Sequence, residues 1–103
     1  MSVVPEFVVD WHGSNLIGAI RMSQGIYAIR NIVNGHRYVG SSVDVAGRYR
    51  EHLDSLRKGR HHSQYLQRAW IKYGEATFLF EVIEPVLLKE FLTYREQYHI
   101  DNG

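Results

Sequence analysis

With 103 residues, 45% of them hydrophobic, the chain suffices for one domain with a modest core. It contains no cysteine, no apolar run near the ~20 residues that span a bilayer, and a start, MSVVPEFVVDWHG, without a basic segment ahead of an apolar one. These features argue against disulfides, Cys-based zinc sites, membrane association and secretion, and favour a reducing compartment. The formal net charge of +1 hides an asymmetry. Across residues 45–72, Arg48, Arg50, Arg57, Lys58, Arg60, Arg68 and Lys72 outnumber Glu51 and Asp54, whereas residues 73–103 set Lys89 and Arg95 against six acids. A basic middle that also carries His52, His61 and His62 suits a polyanion.

Residues 1–24 show no clear period and are expected to form an accessory segment. Val3 to Val9 could make a short strand, Leu16 to Ile20 a second apolar patch, and His12 to Asn15 a turn between them. From Gly25 a hairpin is expected, about Gly25–Ile32 and His36–Ser41, because Asn34-Gly35 between apolar runs is a strong turn signal. A two-residue turn would pair Asn31 with Tyr38 and Tyr27 with Ser42. Alternation then puts Tyr27, Ile29 and Asn31 on one face with Tyr38 and Gly40, a face able to take up a polar ligand.

Ser41, Ser42 and Asp44 are candidate N-caps for a helix over about Val45–Arg57. Its apolar stripe is Val45, Tyr49, Leu53 and Leu56, and Arg48 and His52 lie four apart on an adjacent face. Gly59 would end it. A second helix is expected over about Ser63–Tyr73, capped by Ser63 and stopped by Gly74. Phe78, Phe80 and Val82 alternate in a strand over Thr77–Glu84 that Pro85 breaks. A last helix over about Leu87–Ile100 carries Leu88, Phe91, Leu92, Arg95, Tyr98 and His99 in register, with Glu96 beside them. The order predicts an α+β domain, a small three-stranded antiparallel sheet flanked by about three helices, over residues 25–103.

Gly25-Ile26-Tyr27, Tyr38-Val39-Gly40, Arg48, His52 and a late helical Glu96 together resemble the GIY-YIG nuclease superfamily. The nearest likeness is to the catalytic domain of phage and group I intron homing endonucleases. It extends through Gly40-Ser41, Gly59, His61, Ser63, Leu66-Gln67-Arg68, Lys72, Gly74, Phe78, Phe80, Val82-Ile83-Glu84, Arg95-Glu96, Tyr98 and Ile100. The namesake tripeptides alone are a weak signal; the ordered set is strong.

The resemblance implies a metal-dependent endonuclease that hydrolyses phosphodiester bonds of double-stranded DNA. Tyr27 would be the general base, and a phenol with an ordinary pKa near 10 needs positive charge nearby to act at neutral pH. Arg48 would grip the scissile phosphate through its planar fork. Glu96 would hold Mg²⁺, with Mn²⁺ a possible substitute, since a hard cation takes one or two carboxylates and keeps several waters. Tyr38 would order the water or Tyr27, and His52 and His61 would relay a proton or touch phosphate. Gly40 would leave room for the substrate backbone, and Arg50, Arg57, Lys58, Arg60, Arg68 and Lys72 would meet DNA phosphates.

The family usually carries an asparagine after its last helix, and Asn102 follows Glu96 too closely to be equated with it. Homing enzymes also carry a separate DNA-binding module after the nuclease domain, so a full-length form is expected to include one that this chain lacks. The expected setting is the cytoplasm, prokaryotic or phage-encoded, or another reducing compartment. Two alternatives stand beside the homing type: a structure-specific or repair nuclease of the same superfamily, and a non-cleaving DNA-binding module of nuclease-like fold.

Overall fold

Strands Phe7–Asp10 (β1), Gly25–Asn31 (β2), Arg37–Ser42 (β3) and Phe78–Pro85 (β4) form one antiparallel sheet in the order β1-β4-β2-β3. The structure is a computed structural model and describes residues 7–10 and 24–102. The expected three antiparallel strands are β4-β2-β3, and β1 extends them by pairing Phe7 with Val82 and Asp10 with Leu79. The apolar patch Leu16–Ile20 and the turn His12–Asn15 lie outside the described residues. Helices Val45–Arg57 (α1), Gln64–Tyr73 (α2) and Leu92–Asn102 (α3) complete an α+β domain.

The hairpin register differs from the expected one by two residues. Tyr27 pairs with Gly40 and Ile29 with Tyr38, because the connection is a four-residue loop rather than a two-residue turn. Asn31 N–H donates to the His36 carbonyl at 2.9 Å, and the Asn31 and Asn34 side chains accept from Val33 and His36 amides. Gly35 supplies the left-handed residue, with φ of 76°. A slip of two preserves side-chain parity, so Tyr27, Ile29, Tyr38 and Gly40 still share a face.

That face is not an open ligand surface. α1 and α2 cover it, burying Tyr27, Ile29, Val45, Tyr49, Leu56, Leu66, Trp70, Phe78, Phe80 and Val82 in one core. The stripe on α1 and the alternation in β4 account for this packing. Asp44 caps α1 by accepting from Gly47 N–H, Ser63 caps α2 by accepting from Leu66 N–H, and Gly74 ends α2 with φ of 90°. The β2–β4 register slips at Ile26/Tyr27, a bulge of the kind that re-aims side chains beside active sites.

The opposite face carries a smaller core of Ile26, Val86 and Leu92. Here the expected final helix needs correction. Lys89–Phe91 is a short 3₁₀ turn and α3 begins only at Leu92, so Leu88 and Phe91 stay exposed, and Tyr98 within α3 is exposed as well. Polar contacts tether α3 instead. Glu84 of β4 accepts two hydrogen bonds from Arg95 Nε at 2.8 and 2.9 Å and one from its Nη2 at 2.7 Å, and also meets His99 Nε2 at 2.8 Å. These Arg95 bonds hold the Glu84 carboxyl below its ordinary value, and the guanidinium lies 4.2 Å from the Tyr98 ring centroid.

Candidate active site

Tyr27 projects from β2 beneath α1 and is 3% exposed. Its ring stacks on Phe80 at 5.0 Å, and its hydroxyl lies 2.6 Å from His52 Nε2. His52, one turn beyond Arg48 on α1, is itself buried, and its Nδ1 lies 2.7 Å from His61 Nε2. The chain ends on the backbone, where Ser63 N–H donates to His61 Nδ1 at 3.0 Å. Sequence spacing brings Arg48 near His52, but only the loop between α1 and α2 brings His61 onto the same line.

Gln67 holds that loop in place. Its Oε1 accepts from His61 N–H at 2.9 Å and its Nε2 donates to the Leu56 carbonyl at 3.1 Å. Tyr38 is half-buried, and its hydroxyl meets His62 Nε2 at 2.9 Å. His62 stacks on His61 with centroids 4.3 Å apart. Sequence reasoning placed His62 in the basic stretch without a site role; the His61-His62 doublet between two helices was the available signal.

Burial pushes the Tyr27 phenol well above its usual value, with Tyr38 adding to the effect and Arg48 opposing it. Tyr38 is also raised, first by burial and then by Glu96, again against Arg48. Burial brings His52 down to about 3, helped by His61 and Arg48. His61 is lowered by burial and then by His62. The two imidazoles are therefore neutral near pH 7, and the two phenols protonated. The Arg48 charge opposes the rise of both phenols and adds to the fall of His52, while its guanidinium lies 3.4 Å from the Glu51 carboxylate.

Glu96 approaches from the other side of the sheet. Ser41 alternates with Tyr38 and Gly40 on β3, so it faces α3, and its hydroxyl donates to Glu96 Oε1 at 2.5 Å. The Glu96 charge raises both phenols, and β3, which carries Ser41, is an edge strand. Ser41 was not singled out as a site residue in the sequence, because contact across the strand depends on where α3 docks. Among the described residues no group of three or more His, Asp or Glu could enclose a metal. A lone, half-buried carboxylate with one oxygen engaged by a hydroxyl fits an ion that keeps most of its waters, as Mg²⁺ does.

Gly40 is buried, and a Cβ there would collide with the Tyr27 hydroxyl and ring, so its missing side chain accommodates the tyrosine. The basic residues also divide. Arg48, Glu51, Ser55, Arg60, His52, His61 and His62 line an open cleft of about 250 Å³. Arg50 and Arg57 lie nearly opposite Arg48 around α1, and Arg57 is clamped by both Glu75 oxygens at 2.7 and 2.8 Å. Lys58 pairs with Asp54 at 3.0 Å, and Lys72 lies 5.2 Å from the Tyr73 ring centroid. Arg68 and Lys72 are exposed on α2. Of the six basic residues expected on DNA beside Arg48, the cleft includes Arg60.

In sequence and fold the chain resembles known proteins. The GIY-YIG catalytic domain family matches residues 23–102. The chain is 38% identical over 80 residues to the Intron-associated endonuclease 1 of Enterobacteria phage T4, an overlap of 77% of this chain and 32% of that protein. It is also 38% identical over 60 residues to the Probable intron-encoded endonuclease 1 of Neurospora crassa, covering 58% of this chain and 18% of that one. Among solved structures, the catalytic domain of homing endonuclease I-TevI superposes with a TM-score of 0.72 at 35% identity, covering 77% of this chain and 86% of that one. With Tyr27, Tyr38, Arg48, His52, His61 and Glu96 gathered about one edge of its sheet, the chain belongs to the GIY-YIG catalytic domain family.

Proposed function

We propose that this chain is the catalytic domain of a homing-type endonuclease that hydrolyses a phosphodiester bond of double-stranded DNA with Mg²⁺ bound at Glu96. The observation that carries the reading is the line of contacts from Tyr27 through His52 to His61, with Arg48 on one flank and Glu96 on the other. Tyr27, in the ionised form left once its own proton has gone to solvent, is the group that takes the proton of the attacking water. Arg48 sits at the mouth of the cleft, 44% exposed, where a planar cation can hold two phosphate oxygens and offset the charge gained as water attacks. Arg60 and His62 extend the positive lining along the cleft. A divalent cation, when bound, supplies charge stabilisation to the leaving oxygen.

Several elements hold these groups in place. Ser41 orients the Glu96 carboxylate, the Glu84–Arg95 clamp fixes the helix that carries it, and the Phe80 stack sets the Tyr27 ring. Base-specific recognition is assigned to a DNA-binding module in a longer form of the protein, in keeping with the 32% of the phage relative that this chain spans. The test is conversion of supercoiled plasmid to nicked or linear DNA with Mg²⁺ and with excess EDTA. Metal-dependent cutting by the purified chain supports the reading. Binding without cutting, at saturating Mg²⁺ or Mn²⁺, favours the non-cleaving DNA-binding alternative.

A further inference from the structure

We propose that the main-chain amide of Ser63 fixes the direction of the whole hydrogen-bond chain, so that His52 Nε2–H donates to the Tyr27 oxygen and both imidazoles act as neutral positioning residues rather than proton acceptors. The argument starts at the backbone end. A neutral imidazole has one N–H and one lone-pair nitrogen, while an imidazolium has two N–H groups and no acceptor. An amide N–H can only donate, and that of Ser63 is aimed at His61 Nδ1 at 3.0 Å. His61 Nδ1 therefore carries the lone pair, and the ring is neutral with its hydrogen on Nε2.

That hydrogen lies on the 2.7 Å contact to His52 Nδ1. His52 Nδ1 must accept it, which leaves the His52 hydrogen on Nε2, facing the Tyr27 oxygen at 2.6 Å. Every contact in the series is then satisfied in one sense only. Reversing the sense sets His61 Nδ1–H against Ser63 N–H, and protonating His52 sets its Nδ1–H against His61 Nε2–H. Each places two donors face to face, in a part-buried contact at Ser63 and a buried one at His52, at a cost of an unmade hydrogen bond on both sides.

The amide has little freedom to turn away. Ser63 is the N-cap of α2, with its hydroxyl accepting from Leu66 N–H at 3.2 Å, and Gln67 ties the His61 backbone to the end of α1. The imidazole planes of His52 and His61 lie within 21° of parallel with centroids 4.9 Å apart, the separation of rings joined end to end through the 2.7 Å contact. The first turn of one helix thus sets a proton position two rings away. For Tyr27 the consequence is directional. Its own hydrogen points away from His52, and a donated N–H–O bond strengthens when the oxygen is ionised, so the arrangement offsets part of the penalty that burial sets on the phenolate. The catalytic meaning rests on Tyr27 acting as base; the polarity itself does not.

The test is long-range ¹H–¹⁵N correlation on wild-type protein labelled at histidine, between pH 6 and 8, with rings assigned by their loss in His52→Gln and His61→Gln. The expected result is a neutral Nε2–H tautomer at both His52 and His61. A neutral Nδ1–H tautomer or an imidazolium at either ring would overturn the proposal. A second arm compares Ser63→Pro, which deletes the N–H at a φ of −86° close to what proline imposes, with Ser63→Ala, which removes only the hydroxyl. Ser63→Pro should give a tautomer mixture at His61 and cut plasmid at least tenfold more slowly than Ser63→Ala, whose tautomers stay as in wild type. A pure Nε2–H pattern in folded Ser63→Pro would overturn the role of the amide. Should Ser63→Pro not fold, the wild-type spectrum decides. A tautomer mixture with cutting equal to that of Ser63→Ala would sink Tyr27 as the base while leaving the polarity standing.

Discussion

The Tyr27 ring lies across the Cα of Gly40, its cross-strand partner, so closely that a methyl group on Gly40 would occupy the space of the tyrosine hydroxyl. The two namesake tripeptides are therefore joined by a steric fit, with the last residue of one making room for the last residue of the other. Gly40→Ala must displace the ring from Phe80 or shift the edge strand, and overpacking of this kind costs about 1–3 kcal/mol. Urea melts should show that loss, with plasmid nicking reduced as the hydroxyl leaves His52. A variant of wild-type stability and rate would mean that the ring relaxes freely.

Tyr27→Phe and Tyr38→Phe keep their rings and delete one hydroxyl each. Loss of a general base typically costs ~10²–10⁴ in rate, so Tyr27→Phe should be severely slowed and Tyr38→Phe less so. Because burial raises the Tyr27 phenol, single-turnover cleavage should keep climbing on the alkaline side, and Tyr27→Phe should flatten that limb. Profiles in Mg²⁺ and Mn²⁺ separate this rise from ionisation of metal-bound water. Greater damage in Tyr38→Phe would transfer the role to Tyr38.

Arg48 and Arg50 have equal charge and occupy opposite flanks of α1. Arg48→Ala should lower single-turnover cleavage by ~10²–10³, the scale of losing one transition-state donor, and Arg48→Lys should recover little of it because the fork is lost. Arg50→Ala should change cleavage by less than about threefold, the mark of a surface charge that only aids encounter. Equal effects at the two positions would show that bulk positive charge, not the cleft, holds the phosphate.

Glu96→Gln keeps an oxygen for Ser41 but removes the anionic ligand, so Mg²⁺-dependent nicking should collapse. Chemical melts should move by no more than ~1 kcal/mol, because the amide oxygen still accepts from Ser41, and DNA binding should persist. Ser41→Ala should raise the Mg²⁺ concentration needed for half-maximal cutting and leave the alkaline limb in place. Undiminished nicking by Glu96→Gln at matched Mg²⁺ would relocate the metal.

Acid should loosen the fold through the buried imidazoles. An unfolded histidine titrates near 6.5 and His52 in the fold near about 3, with His61 shifted the same way. Between those values the unfolded chain binds protons that the folded chain does not, so this contribution is complete above pH 6.5 and declines as pH falls. Melting temperature followed from pH 7 to 5, above the range where most carboxylates titrate, should decrease, and His52→Gln should flatten the slope. A level wild-type curve would mean that both rings take up protons within the fold.

Much of this was legible along the chain because it is local. The α1 stripe, the Ser63 cap, the Gly74 stop and the β4 alternation follow from spacings of two to four residues, and β2–β3 parity survived even a wrong register, since a slip of two keeps every side chain on its face. The ordered motif named the family for the same reason: it is written in sequence. What sequence left open depends on docking. Leu88 and Phe91 repeat like a buried stripe, yet α3 starts too late to bury them, and a charged clamp at Glu84 holds the helix instead. Arg50 and Arg57 read like Arg48 until the burial of α1 sets which flank meets the cleft. Only the tertiary structure lays Tyr27 under α1, brings His61 to His52 and aims the Ser63 amide at the end of the line, because each contact joins elements whose relative position no local spacing encodes.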